Sequence, residues 1–246
     1  TDVDFCDVFR RNNVKIICIF KESLSLVSNS MYNVVKKKYS NFLALRIDDL
    51  IVYNNRTKKL FEEAGCYKKK IKVLGSPRMY NLMQNFKKNN HKKSILLLSF
   101  DLETSFYGKD IDRNYDSKFG KKLFFDIHGA YLKLIKKYPN FNFKIRPKPK
   151  FVNPDSIWSN LLKELFAKEK FNPKEYKNFK IDKTIDFHES LENTSICCGI
   201  QSTAILEASI VGIPVILTLF SSFKKSKFFD EYSLKKNLSL FEQATN

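Results

Sequence analysis

Short apolar runs separated by helical stretches recur along the whole chain, and this alternation limits the fold more than any other feature. The runs are residues 15–20 (KIICIF), 49–54 (DLIVYN), 70–74 (KIKVL), 94–100 (SILLLSF), 141–145 (FNFKI), 179–182 (FKID), 195–199 (SICCG) and 214–219 (PVILTL). Each has the length of a buried strand and is too short for a helix. Helical patterns fill the gaps at 29–39, at 56–64 (stopped by Gly65), at 121–138 (ended by Pro139), at 158–168, as a turn at 191–193, and at 202–211. Within 121–138, Leu123, Phe124, Ile127, Tyr131, Leu134 and Ile135 share one helical face. Repeated strand–helix units of this kind predict an α/β chain with parallel sheets covered by helices on both faces.

The units group into two blocks. The first closes at Gly75-Ser76-Pro77, and the polar stretch 85–93 (NFKKNNHKK) reads as a linker. The expected organisation is a Rossmann-like unit over 1–84, the linker 85–93, and a second Rossmann-like unit over 94–246. The first block has few strands for such a unit, and the chain opens on Thr1 without a signal-peptide pattern. It is therefore read as the remainder of a truncated N-terminal half.

The formal net charge of +18 favours anionic partners. Its lysines come in scattered pairs and triplets, with no block of five, as on a solvated surface. A nucleic-acid or anionic-membrane module is an alternative reading, but charge alone supports it, and no aromatic RNA-binding strand pattern is present. The five cysteines form no C-x-x-C pair and fit reduced, buried thiols and a cytoplasmic setting. His91, His128 and His188 are far apart, and no His/Cys cluster has the spacing of metal ligands. The phosphate loop G-x-x-x-x-G-K-[ST], the dinucleotide fingerprint G-x-G-x-x-G and the G-x-S-x-G elbow are all absent.

Ligands of open parallel sheets bind beyond the carboxyl ends of the strands, so residues just after each strand are the candidates. Gln201-Ser202-Thr203 follows the run ending at Gly199, and Ser202 or Thr203 suits the N-cap of the next helix, where amides and the helix dipole attract an anion. Glu207 lies four residues beyond Thr203, on the same helical face, where its carboxylate suits the two hydroxyls of a ribose. Arg146-Pro147-Lys148-Pro149-Lys150 follows another run. Its prolines stiffen the exit and aim Arg146 and Lys148 at a phosphate or a sugar-acid carboxylate. Ser76 and Arg78 sit in the turn that closes the first block, and the loop 101–105 (DLETS) also reaches the rim. His128 reads as a packing residue within a helix; His188, before a helical turn, could border the cleft, but an ordinary structural role is the favoured reading for it too.

The stretch QSTAILEASIVGIPVI resembles the S-T-x-x-x-E-A-x-x-x-G-x-P-V-I element of GT-B glycosyltransferases and their relatives. DDLIVYNNRTKKLFEEAG with IKVLGSPR is similar to the end of the N-terminal domain in that group, and FNFKIRPKPK to the strand exit of capsule and surface-polysaccharide transferases. The resemblance spans roughly residues 45–220. It implies a nucleotide-sugar donor held by Ser202, Thr203 and Glu207, with CMP-linked sugar acids among the donors used by such transferases, and with Arg146 and Lys148 neutralising the leaving group. It implies a glycan or lipid-linked acceptor; the cysteines fit a cytoplasmic protein, and the basic charge is compatible with peripheral association at the anionic inner face of the membrane. No separate cofactor, metal or nucleic acid is implied. An epimerase of the UDP-N-acetylglucosamine 2-epimerase type or a polyol-phosphate transferase shares the same element. Arg146-Pro147 stands where the family often has His-Pro, so the catalytic base is left unassigned.

Overall fold

A computed structural model describes residues 2–20, 47–65, 67, 69–87, 93–100, 117–149, 152–226, 229–230, 232 and 234–245. The helix expected at 29–39, the loop 101–105, Cys66, His91 and Lys150 lie outside the described residues. The chain divides into two compact units, Thr1–Tyr80 and Asn81–Asn246.

The first unit contains α1 (Asp2–Arg11), β1 (Ile17–Phe20), β2 (Asp49–Val52), α2 (Asn55–Glu63) and β3 (Ile71–Val73). The strands pair in parallel in the order β1-β2-β3. Helix α2 begins where the Asn54 side chain accepts the Thr57 amide. It buries Phe61 against the sheet, edge-on to Phe20 at 5.0 Å between ring centroids, with Leu50, Val52 and Ile71 around them. Within residues 1–85, two helices escaped the sequence reading, α1 and α3 (Pro77–Asn85). Residues 75–78, read as a plain turn, start α3. Pro77 takes the first helical position, where its missing N–H leaves no bond unmade. The Ser76 hydroxyl accepts the Met79 amide at 3.4 Å.

The second unit runs β4 (Ser94–Leu98), α4 (Ser117–Lys137), β5 (Asn142–Arg146), α5 (Ile157–Lys168), β6 (Phe179–Ile181), α6 (Phe187–Glu192), β7 (Ile196–Gly199), α7 (Thr203–Ile210), β8 (Val215–Thr218), α8 (Ser221–Lys224) and β9 (Glu242–Ala244). Its six strands are parallel throughout, in the order β6-β5-β4-β7-β8-β9. That is the doubly wound Rossmann order, running outward from β4 to one edge and then from β7 to the other. Strand β9 was not expected. It is a polar Glu-Gln-Ala segment at an exposed edge, so it carries no apolar signal. The core joins Leu96, Leu97, Phe143, Ile145, Cys197 and Leu217 of the sheet to helices α4 and α5. Strand β5 shows the alternation that sorts its two faces. Phe143 meets Tyr131 of α4 at 5.4 Å, while Lys144 and Arg146 turn to the opposite face and reach Asn193 and Ser190.

Cys6, Cys197 and Cys198 are buried and Cys18 is partly buried, all as free thiols. Burial pushes the Cys198 thiol up to about 12, which leaves it inert at neutral pH. Among the described residues, no helix is long and apolar enough to cross a membrane.

One polar chain crosses the core of the second unit. His128 Nδ1 lies 2.8 Å from the Phe124 carbonyl, which can only accept, so Nδ1 carries the proton. His128 Nε2 then accepts from the Ser99 hydroxyl at 2.6 Å, and Ser99 Oγ accepts from the Trp158 indole at 2.6 Å. The ring also stacks on Phe124 at 3.8 Å. Burial holds the His128 pKa down to about 4, against an ordinary 6.5, although the Phe124 carbonyl opposes it. The native state thus refuses a proton that the unfolded chain accepts below 6.5. Folding stability should fall by about 3 kcal/mol as pH drops from 6.5 to 4, and His128 should add no further loss below that. Asp182, whose pKa is lowered below 3.8, stays ionised across that window. Urea unfolding at stepped pH should show this slope in the wild type and a flatter one in His128→Asn.

Candidate functional site

The strand order places a topological switch between β4 and β7. A parallel sheet leaves a crevice at such a point, outside the carboxyl ends of the strands. Described residues just past those ends are Ser99 after β4, Pro147-Lys148 after β5, Asp182 after β6, and Ile200 through Thr203 after β7.

The β7–α7 connection is shaped by close packing. A Cβ on Gly199 would stand 3.3 Å from Leu98 Cβ and 3.4 Å from Ile205 Cδ1, so any larger residue would push these neighbours back by a few tenths of an ångström where β7 packs against β4 and α7. Ser202 then takes an extended backbone (φ −170°, ψ 149°) and caps α7, its hydroxyl accepting the Ala204 amide at 3.2 Å and its carbonyl the Ile205 amide at 3.1 Å. Thr203 is exposed in the first turn, with Gln201 partly buried beside it. The helix stops at Gly212, whose φ of 72° is a left-handed conformation that side chains resist. The Tyr232 hydroxyl ties the turn from behind by donating to the Ile200 carbonyl.

Glu207 departs from its expected display on the helix surface. It is only 1% exposed, and its Oε2 lies 3.7 Å from Nε2 of His188, which is 30% exposed. His188 stands in the first turn of α6, whose N-cap Asp186 accepts the His188 amide at 2.9 Å. The carboxylate is therefore buried, with a partly exposed imidazole beside it. The sequence offered a cleft position for His188 only as the lesser of two readings. Its pairing with Glu207 depends on α6 and α7 meeting in space.

The pair of cations expected after β5 needs correcting. Arg146 is 7% exposed and turned inward. Its guanidinium donates to Asp182 at 3.2 Å, to Ser190 Oγ at 2.8 Å and to the Ile185 carbonyl at 3.4 Å, and lies 5.4 Å from the centre of the Phe187 ring. The reason is strand alternation: as the last residue of β5, Arg146 projects onto the face that α6 covers. Burial works to raise the Asp182 pKa, yet hydrogen bonds from Ser190 and Thr184 and the Arg146 charge outweigh it and hold it low. Lys148, two residues on, is exposed. Ser76 and Arg78 belong to the first unit; Ser76 serves α3 as a cap and Arg78 is exposed in the first turn of that helix.

No protein-family model matches the chain, and no curated protein matches it. Among solved structures, it is similar to a UDP-GlcNAc 2-epimerase from Methanocaldococcus jannaschii, with 12% identity and a TM-score of 0.51, over 99% of this chain and 69% of that one. A second structure of that organism's UDP-GlcNAc 2-epimerase, in complex with UDP-GlcNAc and UDP, matches at 15% identity and a TM-score of 0.43, over 87% of this chain and 63% of that one. The beta Kdo 2,4 transferase KpsC of Thermosulfurimonas dismutans matches at 13% identity and a TM-score of 0.33, over 59% of this chain and 46% of that one. The likeness above 0.5 and the all-parallel sheets together give the chain a GT-B-like fold.

Two substitutions probe this architecture. Arg146→Ala strands the Asp182 carboxylate in the interior and should cost about 3–5 kcal/mol of folding stability in urea, while Lys148→Ala should stay within about 0.5 kcal/mol. Gly199→Ala should cost about 1–3 kcal/mol, because its near neighbour Leu98 Cβ is anchored to the backbone and cannot swing away.

Proposed function

We propose that this chain is a nucleotide-sugar enzyme of the GT-B-like class, a glycosyltransferase that moves a sugar to a surface-polysaccharide or lipid-linked acceptor. The observation that carries the reading is the start of α7 at the switch point, capped by Ser202, with Glu207 one turn along and sheltered by His188. A phosphate at that helix end would meet the positive end of the dipole and the Thr203 hydroxyl. The Ser202 hydroxyl would serve by holding the cap rather than by contacting the donor. Glu207, placed within reach of His188, would accept from a ribose hydroxyl. Lys148 would add positive charge as the nucleotide leaves, an electrostatic contribution to the transition state. Arg146, in this account, positions the 182–190 segment instead of touching the donor. The basic surface would suit a lipid-linked acceptor at an anionic membrane face.

The second reading is an epimerase acting on UDP-GlcNAc, favoured by the fold likeness to UDP-GlcNAc 2-epimerase over 99% of the chain. An epimerase converts its sugar nucleotide with no acceptor present, so incubation with UDP-GlcNAc alone and analysis of the products separates the two.

Calorimetric titration with CMP, UDP and GDP tests the site itself. At least one nucleotide should bind, and Ser202→Ala and Glu207→Gln should each weaken it by about tenfold, the scale of one or two hydrogen bonds. Absence of binding to all three, or variants that bind as the wild type does, rejects the reading.

A further inference from the structure

His188 is held beside Glu207 by two anchored helices. Helices α6 and α7 follow β6 and β7, so both begin on the carboxyl side of the sheet, where the crevice lies. His188 is the second residue of α6 and Glu207 the fifth of α7, so both side chains stand near those starts. Asp186 caps α6, and the Arg146 guanidinium donates to Ser190 of that helix and lies over the Phe187 ring. The imidazole is thus carried on a fixed backbone, with Nε2 3.7 Å from the buried Glu207 carboxylate.

The two nitrogens of that ring are not equivalent. A carboxylate oxygen only accepts hydrogen bonds, so in the neutral imidazole the proton is drawn to Nε2, the nitrogen beside Glu207. Nδ1 then keeps its lone pair, and among the described residues no group donates to it. The partly exposed ring therefore presents an acceptor to a ligand, next to a carboxylate that is an acceptor as well. Two adjacent acceptors suit a ligand that brings two neighbouring hydroxyls. They do not suit a phosphate, which brings acceptors of its own. A carboxylate offers about four acceptor positions, so Glu207 can serve its protein neighbours and a hydroxyl together.

We propose that His188 is a specificity-determining residue, which accepts from one ribose hydroxyl through Nδ1 while Glu207 accepts from the other. The assignment rests on the nucleotide reading of the α7 site and narrows its substrate class to ribonucleotides, selected against their deoxy counterparts. A site built to hydrogen-bond a hydroxyl rejects the analogue that lacks it, because its own polar groups are then left unpaired. His188 sits at a partly exposed edge, so its share of that discrimination is the modest one of a single hydrogen bond.

Calorimetric titration with CMP, UDP and GDP, each beside its 2′-deoxy and 3′-deoxy forms, tests the assignment. The wild type should prefer the ribonucleotide it binds over both deoxy forms by about fivefold to tenfold, the scale of one hydrogen bond. An Asn side chain places its amide near the position of Nδ1, whereas Gln places its amide near Nε2. His188→Gln should therefore abolish the preference against one of the two deoxy forms, and His188→Asn should retain it. The readout is a ratio of affinities on a single variant, so a loss of stability does not imitate it. Equal affinity of the wild type for ribose and deoxy forms, a preference unchanged in His188→Gln, or a preference lost equally in His188→Asn would each overturn the proposal. The nucleotide reading survives those results if Glu207→Gln still weakens binding. Absence of binding by all three nucleotides overturns both.

Discussion

The second unit depends on one buried charge. Arg146 ends a central strand on the face that α6 covers, and a guanidinium in that position must be paired and hydrogen-bonded or the fold fails. Asp182, Ser190 and the Ile185 carbonyl meet that demand, and Phe187 packs beneath the planar group. All four lie in the stretch that crosses from β6 to the end of α6. One side chain thus pins the crossover that returns the chain from the sheet edge to its middle. Because α6 is pinned, His188 stands over Glu207, and because α7 starts where Gly199 lets β7 approach β4, Glu207 lies one turn from the switch point.

Polar groups inside this unit come as closed sets. Trp158, Ser99 and His128 form a chain in which every proton has a defined direction, ending on the Phe124 carbonyl. Arg146 and Asp182 form a second set. The Lys144–Lys180 pair is of another kind, since the sheet register itself brings two like charges together. The first two sets are explained by stability and orientation.

Much of the fold was legible because strands buried in a parallel sheet are short runs dominated by apolar residues. The eight apolar runs correspond to β1 through β8, with ends shifted by one or two residues. What escaped had no such signature. Strand β9 is polar because an exposed edge asks for no apolar face, and α3 was hidden because Gly75-Ser76-Pro77 stops a strand and starts a helix with the same residues. At the site, the N-cap role offered to Ser202 or Thr203 falls to Ser202, since cap chemistry is local. Arg146 was misjudged because the direction of a side chain at a strand end depends on which face the next helix covers.

The sequence by itself determined the parallel α/β class, the strand succession of the second unit from β4 to β8, and the position of a helix N-terminus beyond β7. Those follow from short-range rules: apolar runs, helical spacing, a capping hydroxyl and a stop glycine. Only the tertiary structure decided that Arg146 looks inward, that His188 shelters Glu207, and that Lys144 faces Lys180. Each of these joins residues tens of positions apart through strand order and register, and nothing in the local residue pattern encodes which distant side chain will stand opposite.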